Sequence, residues 1–366
     1  MITIGFTASS SADEIDDYVR AQMEKLRMPG LALAVVQNGK VVKQQAYGLA
    51  NVELEVPVQT ETVFLIASIT KTFTATAILT LVEEGRITLE DSVTKFLPDL
   101  PASWAPVTIR HCLAHTSGLP DAVDADGNLI ADARSDLLRE LAAKPIEMPG
   151  ERAVYNQTGF VLLGMIIEEV SGLEFKDFIA SRLLRPLGLR NTSFGDLRDV
   201  VPGRSSMYTM FEPSLDRTSA LRREHAPDDP FEGWVVSTQA VYRANGYVYA
   251  SFMHPAAGMN STIDDMVQWE LALASGNVLE AETLEQAATP FELSNGESGR
   301  YGLGWIAGTR NGRRTMEMGG GWATWHLRFP DDNLSVIVLT NLQGAEQGAL
   351  AMDVASYYLP DLKPEQ

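Results

Sequence analysis

Apolar residues along the chain recur with two different periods, and the places where each holds predict the architecture. Residues 13–26 carry them at the spacing of an amphipathic helix. Runs 31–36 and 41–46 read as strands flanking Asn38-Gly39, a dipeptide suited to the two positive φ angles of a tight hairpin. Near the other end, 314–318, 322–329 and 335–340 read as three more strands. Pro330-Asp331-Asp332-Asn333 supplies turn chemistry between the last two. Residues 344–357 then read as a closing helix. Five strands with a helix at each terminus predict an antiparallel sheet assembled from both ends of the chain, an α+β architecture.

The middle reads differently. Residues 68–84 have helical spacing and stop at Gly85, a natural helix terminator. Helical runs at 108–115, 159–170 and 175–184 follow, separated by Pro120, Pro149-Gly150 and Pro186. This predicts a sheet-and-helix unit formed by 1–66 with 298–366, and a mainly helical unit over 67–297. Between about 200 and 259 the pattern dissolves into a stretch rich in Tyr, Phe, Trp, Met and Pro. That composition favours a packed loop over a pocket. The longest apolar stretches, 160–167 and 335–340, fall far short of the roughly 20 residues of a membrane-spanning helix. Met1 to Ser11 has neither a basic region nor an apolar run. As it stands the chain reads as cytoplasmic, with periplasmic or secreted location open if a leader preceded it.

Composition narrows the function classes. Against 48 acidic residues stand 29 basic ones, a formal net charge of −19. That balance works against binding nucleic acid or an anionic membrane surface. The single cysteine, Cys112, excludes an internal disulfide framework and a cysteine zinc cage. Only 8 of the basic residues are lysines, so a lysine in a suggestive position stands out.

Ser68-Ile69-Thr70-Lys71 is such a position. A serine at a helix start lies at the positive end of the helix dipole, and a lysine three residues on shares its face. A lysine held away from water can lose its proton and accept the hydroxyl's. By spacing alone, Ser68 is equally a helix N-cap. A second copy, Ser92-Val93-Thr94-Lys95, follows Glu90-Asp91 and precedes Pro98, where its lysine faces water. His111 and His115 have the i, i+4 spacing of a helical zinc pair, but lack the usual glutamate and an evident third ligand. They read as structural histidines beside the turn at 116–119. Asp264-Asp265 follow Ser261-Thr262 and read as first-turn helix acids. No Gly-x-Ser-x-Gly elbow occurs. Gly319-Gly320-Gly321 lies between strand-like segments, where glycine permits close backbone approach.

In this order the pieces resemble the penicillin-recognising serine hydrolases, which include class C β-lactamases, D-Ala-D-Ala peptidases, D-aminopeptidases and family VIII carboxylesterases. The resemblance rests on Phe64-x-Ile66-Ala67-Ser68-Ile69-Thr70-Lys71, then Thr108-Ile109-Arg110-His111-Cys112-Leu113-Ala114-His115-Thr116-Ser117-Gly118-Leu119-Pro120. Pro149-Gly150-Glu151, Tyr155-Asn156-Gln157-Thr158-Gly159-Phe160 and Leu162-Leu163-Gly164 follow. Pro186-Leu187-Gly188-Leu189 and Tyr301-Gly302-Leu303-Gly304-Trp305 complete it. It implies a β-lactamase/transpeptidase-like fold with the active site in the cleft between sheet and helices. It implies Ser68 as nucleophile, Lys71 and Tyr155 as the proton-handling pair with either as base, and Ser68 and Gly321 as oxyanion-hole N–H donors.

Two departures bear on substrate. The second motif, usually Tyr-x-Asn, reads Tyr155-Asn156-Gln157, an amide on a longer stem. The third, usually Lys-Thr-Gly or His-x-Gly, reads Met318-Gly319-Gly320 and lacks the cation that would bind a substrate carboxylate. Gln157, Met318, Gly319 and Gly320 are thus the expected substrate-facing residues. The expectation is a carboxylesterase for uncharged, partly apolar small-molecule esters or amides, needing no metal or organic cofactor. A D-stereospecific peptidase, a weak β-lactamase or a non-catalytic binding protein are the alternatives.

Overall fold

The computed structural model describes residues 11–124, 127–196, 198–209, 242–243, 250–321 and 323–362. Helix α1 (Ser11–Lys25) leads into strands β1 (Gly30–Gln37) and β2 (Lys40–Asn51), then the short β3 (Val56–Pro57) and β4 (Phe64–Ala67). Asn38 and Gly39 turn the first hairpin with φ of 52° and 69°. The middle carries α2 (Thr70–Glu83), α3 (Val93–Phe96), α4 (Ile109–Leu113), α5 (Arg134–Ala142), α6 (Thr158–Ser171) and α7 (Phe175–Ile179). Short strands β5 (Ser193–Phe194), β6 (Tyr208–Thr209), β7 (Tyr242–Arg243) and β8 (Met259–Ser261) precede α8 (Ile263–Ala274) and α9 (Ala281–Ala288). Strands β9 (Ile306–Arg310), β10 (Arg313–Gly320), β11 (Thr324–Phe329), β12 (Leu334–Thr340) and β13 (Leu342–Gln343) follow, and α10 (Gln347–Ala355) closes the series.

Among the described residues, seven strands form one antiparallel sheet in the order β3-β2-β1-β12-β11-β10-β9. Its centre joins the two ends of the chain: β1 pairs β12 from Leu31↔Thr340 to Gln37↔Leu334. Both central strands are buried on both sides, so their apolar residues run continuously, and alternation sorts them to opposite faces. Ala32, Ala34, Val36, Ile337 and Leu339 join the large core shared with the helices. Leu31, Leu33, Val35, Val336 and Val338 pack with Ile15 and Val19 of α1 and Leu350 and Val354 of α10. The sequence pattern gives five of these strands. It misses β3, of two residues, and β9, whose half-exposed residues lack a clean alternation.

Much of the aromatic-rich stretch, residues 210–241 and 244–249, lies outside the described residues, as does Trp322, where the fourth sheet strand was expected to begin. Among the described residues no helix is long and apolar enough to cross a membrane.

Helix α8 is tied to the sheet by a buried polar network. The Glu270 carboxylate accepts from Ser335 Oγ at 2.7 Å, pairs with His326 Nε2 at 2.8 Å, and forms an ion pair with Arg328 at 2.9 Å. Burial alone would raise the carboxyl's pKa, but the Arg328 charge and these hydrogen bonds hold it down to about 2. Its stabilising contribution is therefore present above the ordinary value of 4.5 and lost as pH falls toward 2. Glu270→Ala strands the Arg328 charge and is expected to cost about 3–5 kcal/mol in urea unfolding at pH 7. A change below about 1 kcal/mol is the outcome that contradicts this.

Candidate active site

Strand β4 delivers Ser68 to the start of α2 through a tight turn. Ala67 takes φ of +41°, unusual for a residue with a Cβ. The turn is held from both sides. Thr70 Oγ1 donates to Ala67 O at 2.5 Å and accepts from Met259 N at 3.2 Å. The regular helix therefore begins at Thr70, two residues later than its apolar spacing predicts. Ile69, Phe73, Ala77 and Leu81 then recur on the buried side of α2, where Phe73 stacks on Trp269 at 4.0 Å.

The same rotation buries Lys71 completely. Its Nζ donates to Gln157 Oε1 and to Ala256 O, both at 2.7 Å, and lies 3.3 Å from Ser68 Oγ. None of these three partners carries a charge. Desolvation consequently lowers the amine from 10.5 to about 7, with the Asp121 carboxylate acting in the opposite sense. A neutral amine would keep two N–H bonds, to Gln157 and Ala256, and turn its lone pair toward Ser68.

Tyr155 approaches from the other side, and its hydroxyl donates to Ser68 Oγ at 2.8 Å. Burial pushes the phenol well up from its usual value, outweighing the Ser68 hydrogen bond. It therefore keeps its proton near neutrality. Tyr155 lies in the lead-in to α6 and Gln157 at its N-cap, and the loop after α4 fixes this segment. Asn156 Nδ2 donates to Leu119 O at 2.9 Å, Gln157 N to Asp121 Oδ1 at 2.8 Å, and Thr158 Oγ1 to Pro120 O at 2.8 Å.

The third motif closes on β4 from the sheet. A Cβ on Gly320 would lie 2.0 Å from Ile66 O, and one on Gly319 would lie 2.3 Å from the Trp325 ring. Only glycine permits these approaches. Gly321 then leaves the strand with φ of +57°. Met318 is 1% exposed and belongs to the large core cluster, so its side chain offers little surface to a ligand.

With this geometry in place, the whole-chain comparison is decisive: residues 15–357 match the beta-lactamase family. The chain belongs to that family. It is thereby a member of the penicillin-recognising serine hydrolase superfamily, with the β-lactamase/transpeptidase-like fold. It is 31% identical over 329 residues to penicillin-binding protein 4* of Bacillus subtilis, covering 87% of this chain and 69% of that one. It is 26% identical to protein flp of Staphylococcus aureus over 91% of this chain, but spans only 64% of that relative's length. The octameric penicillin-binding protein homologue from Pyrococcus abyssi superposes with a TM-score of 0.74 at 25% identity, over 95% of this chain and 77% of that one. EstCE1, a hydrolase with promiscuous acyltransferase activity, superposes at 0.76 and 23% identity, over 94% and 98%, a likeness of fold.

None of the other sequence candidates hydrogen-bonds Ser68 or Lys71 among the described residues, although His115 packs on the Tyr155 ring. Ser92 caps α3, and Lys95 pairs with Asp91 at 2.8 Å on the surface. His111 closes a capping box with Thr108. Helix α4 ends at Leu113 and His115 takes φ of +56°, so the two histidines do not share a helical face. Cys112 is buried, which pushes its thiol up to about 12. Thr262 caps α8 by accepting from Asp265 N, while Asp265 accepts from Asn191 N and Thr192 Oγ1. Cavities of about 890 and 670 Å³ open elsewhere, and neither is lined by Ser68, Lys71 or Tyr155. In this family member the polar convergence on Ser68, rather than cavity volume, marks the candidate site.

Two contributors escape the motif reading. Asp121 directly follows the matched segment ending at Pro120, and its signal was a carboxylate beside that segment. The Ala256 carbonyl is a main-chain atom and has no sequence signal.

Proposed function

We propose that the protein is a carboxylesterase-type serine hydrolase acting through an acyl-Ser68 intermediate. The observation carrying this reading is Ser68 Oγ held between the Tyr155 hydroxyl at 2.8 Å and the Lys71 amine at 3.3 Å. Lys71 is the base of the pair, because burial lowers its pKa toward neutrality while raising that of Tyr155. Neutral Lys71 takes the Ser68 proton as Oγ bonds to the ester carbonyl carbon. The carbonyl electron pair moves to oxygen, where the backbone N–H groups of Ser68 and Gly321 receive it. As the tetrahedral centre collapses, the C–O bond to the alcohol breaks and the alkoxide takes the Tyr155 proton. Lys71 ammonium returns a proton to Tyr155. Water then cleaves the acyl-enzyme by the same groups in reverse, releasing the acid and restoring Ser68.

Gln157 holds Lys71 through its amide oxygen, and Gly319 and Gly320 let the third-motif strand approach β4. The active-site cleft then lies where the helices meet the sheet. Met318 supplies no cation where relatives place one, which favours uncharged acyl groups over penicillins or peptide carboxylates. The likeness to penicillin-binding protein 4* supports a second reading, turnover of D-amino-acid amides or lactams by the same serine.

Incubation with a fluorophosphonate is expected to add one phosphonyl group, mapped to Ser68 by peptide mass spectrometry. p-Nitrophenyl butyrate should then turn over faster than nitrocefin or D-alanine p-nitroanilide. An unlabelled Ser68 rejects the hydrolase, and the reverse substrate order rejects the esterase in favour of the second reading.

A further inference from the structure

His115 reaches the candidate site without touching Ser68, and its bonds converge on one residue. Its carbonyl oxygen accepts from Val154 N at 2.8 Å. Its ring Nδ1 accepts from Asn156 N at 3.1 Å. The backbone on both sides of Tyr155 is thus fixed by a single residue. The imidazole also packs on the Tyr155 ring at 4.6 Å between centroids, with Tyr301 and Phe160 at 4.6 and 5.2 Å closing around it.

Two features set this apart from ordinary core packing. His115 adopts φ of +56°, a conformation that bulky side chains disfavour, and one that aims carbonyl and ring at the same segment. Among the described residues the ring is also used at one nitrogen only. Because Nδ1 accepts a backbone N–H, the proton belongs on Nε2, which is buried and has no hydrogen-bond partner among the described residues. Leaving an imidazole N–H unsatisfied is unfavourable, so the acceptor at Nδ1 is what the position uses. Burial, reinforced by the nearby Lys71 charge, keeps the imidazole neutral and that lone pair available.

We propose that His115 is a positioning residue that sets the Tyr155 hydroxyl against Ser68 through the backbone N–H groups of residues 154 and 156. The inference rests on the serine-hydrolase reading above. It acts on that reaction through Tyr155 alone. Asparagine is the conservative replacement, since its Oδ1 can stand near Nδ1 and it tolerates positive φ better than other non-glycine residues. Phenylalanine keeps a ring but offers no acceptor.

The test is a double-mutant cycle on p-nitrophenyl butyrate hydrolysis, with kcat expressed per Ser68 titrated by fluorophosphonate so that misfolded protein is divided out. His115→Phe should lower kcat by about 10–100-fold, the scale of an ångström-level misplacement, with KM changed by less than about twofold. His115→Asn should recover most of that loss. In a Tyr155→Phe background, His115→Phe should cost less than about threefold more, because the hydroxyl it positions is already gone. Equal losses in both backgrounds, no loss in the wild-type background, or no rescue by asparagine overturns the proposal. If the wild type is labelled at Ser68 and the cycle gives any of those outcomes, the positioning role is rejected while the hydrolase reading stands. If the wild type takes no label, the hydrolase reading fails and this inference with it.

Discussion

Ser68→Ala is expected to lower kcat for p-nitrophenyl butyrate by about 10⁵–10⁶-fold and to abolish the pre-steady-state burst of p-nitrophenolate, the scale of loss for a nucleophile acting with its base as one unit. The substitution deletes the bond-forming atom and leaves its surroundings intact. Lys71 keeps Gln157 Oε1 and Ala256 O as acceptors, and Tyr155 stays clamped through the neighbouring backbone N–H groups. The variant should therefore fold with a melting temperature within a few degrees of wild type, so lost activity cannot be charged to lost structure. Stopped-flow absorbance with active-site titration measures it. A burst of undiminished amplitude in Ser68→Ala would transfer the chemistry to another residue and sink the mechanism. A loss of only a few-fold would reduce Ser68 to a binding contact.

The sequence placed that serine but not everything that gives it reactivity. The central strands were legible because burial on both faces leaves continuous apolar runs, and the Asn38-Gly39 hairpin because its backbone angles demand those residues. Strand β9 was not, since an edge strand with exposed residues carries little pattern. Within the site, Lys71 could be read from its spacing to Ser68. The reason its amine is depressed could not, because that depends on which acceptors burial leaves around it. One is the Ala256 carbonyl, 185 residues away in sequence and brought close by the pairing of β4 with β8. Gln157 in place of asparagine read as the same amide on a longer stem. In the fold its longer stem reaches Lys71 Nζ, while Asn156 turns inward to Leu119 O and accepts from Gly159 N. His111 and His115 read as structural histidines despite their i, i+4 spacing, and α4 does stop before His115.

The pH profile follows from Lys71 and is the sharper mechanistic test. Only the neutral amine can accept the Ser68 proton, and burial brings its pKa from 10.5 to about 7. kcat/KM should therefore fall about tenfold per unit below pH 7 and level off above it. The Asp121 carboxylate raises the Lys71 pKa, so Asp121→Asn should move this acid limb to lower pH. Asparagine Oδ1 can still accept from Gln157 N and Ala122 N, both of which bond Asp121 Oδ1. Lys71→Met should lose about 10²–10⁴-fold in kcat, the usual worth of a positioned base, and the limb near 7 should disappear. Lys71→Arg should lose as much, because a guanidinium keeps its proton. Stability should carry the same signature with a definite sign. Between about 7 and 10.5 the unfolded chain binds a proton that the native lysine does not, so native stability rises with pH across that window. Lys71→Met should flatten that rise in urea unfolding. An acid limb persisting near 7 in Lys71→Met, or wild-type activity in Lys71→Arg, would assign the base to another group and make Tyr155 the residue to examine, despite the burial that holds its proton in place.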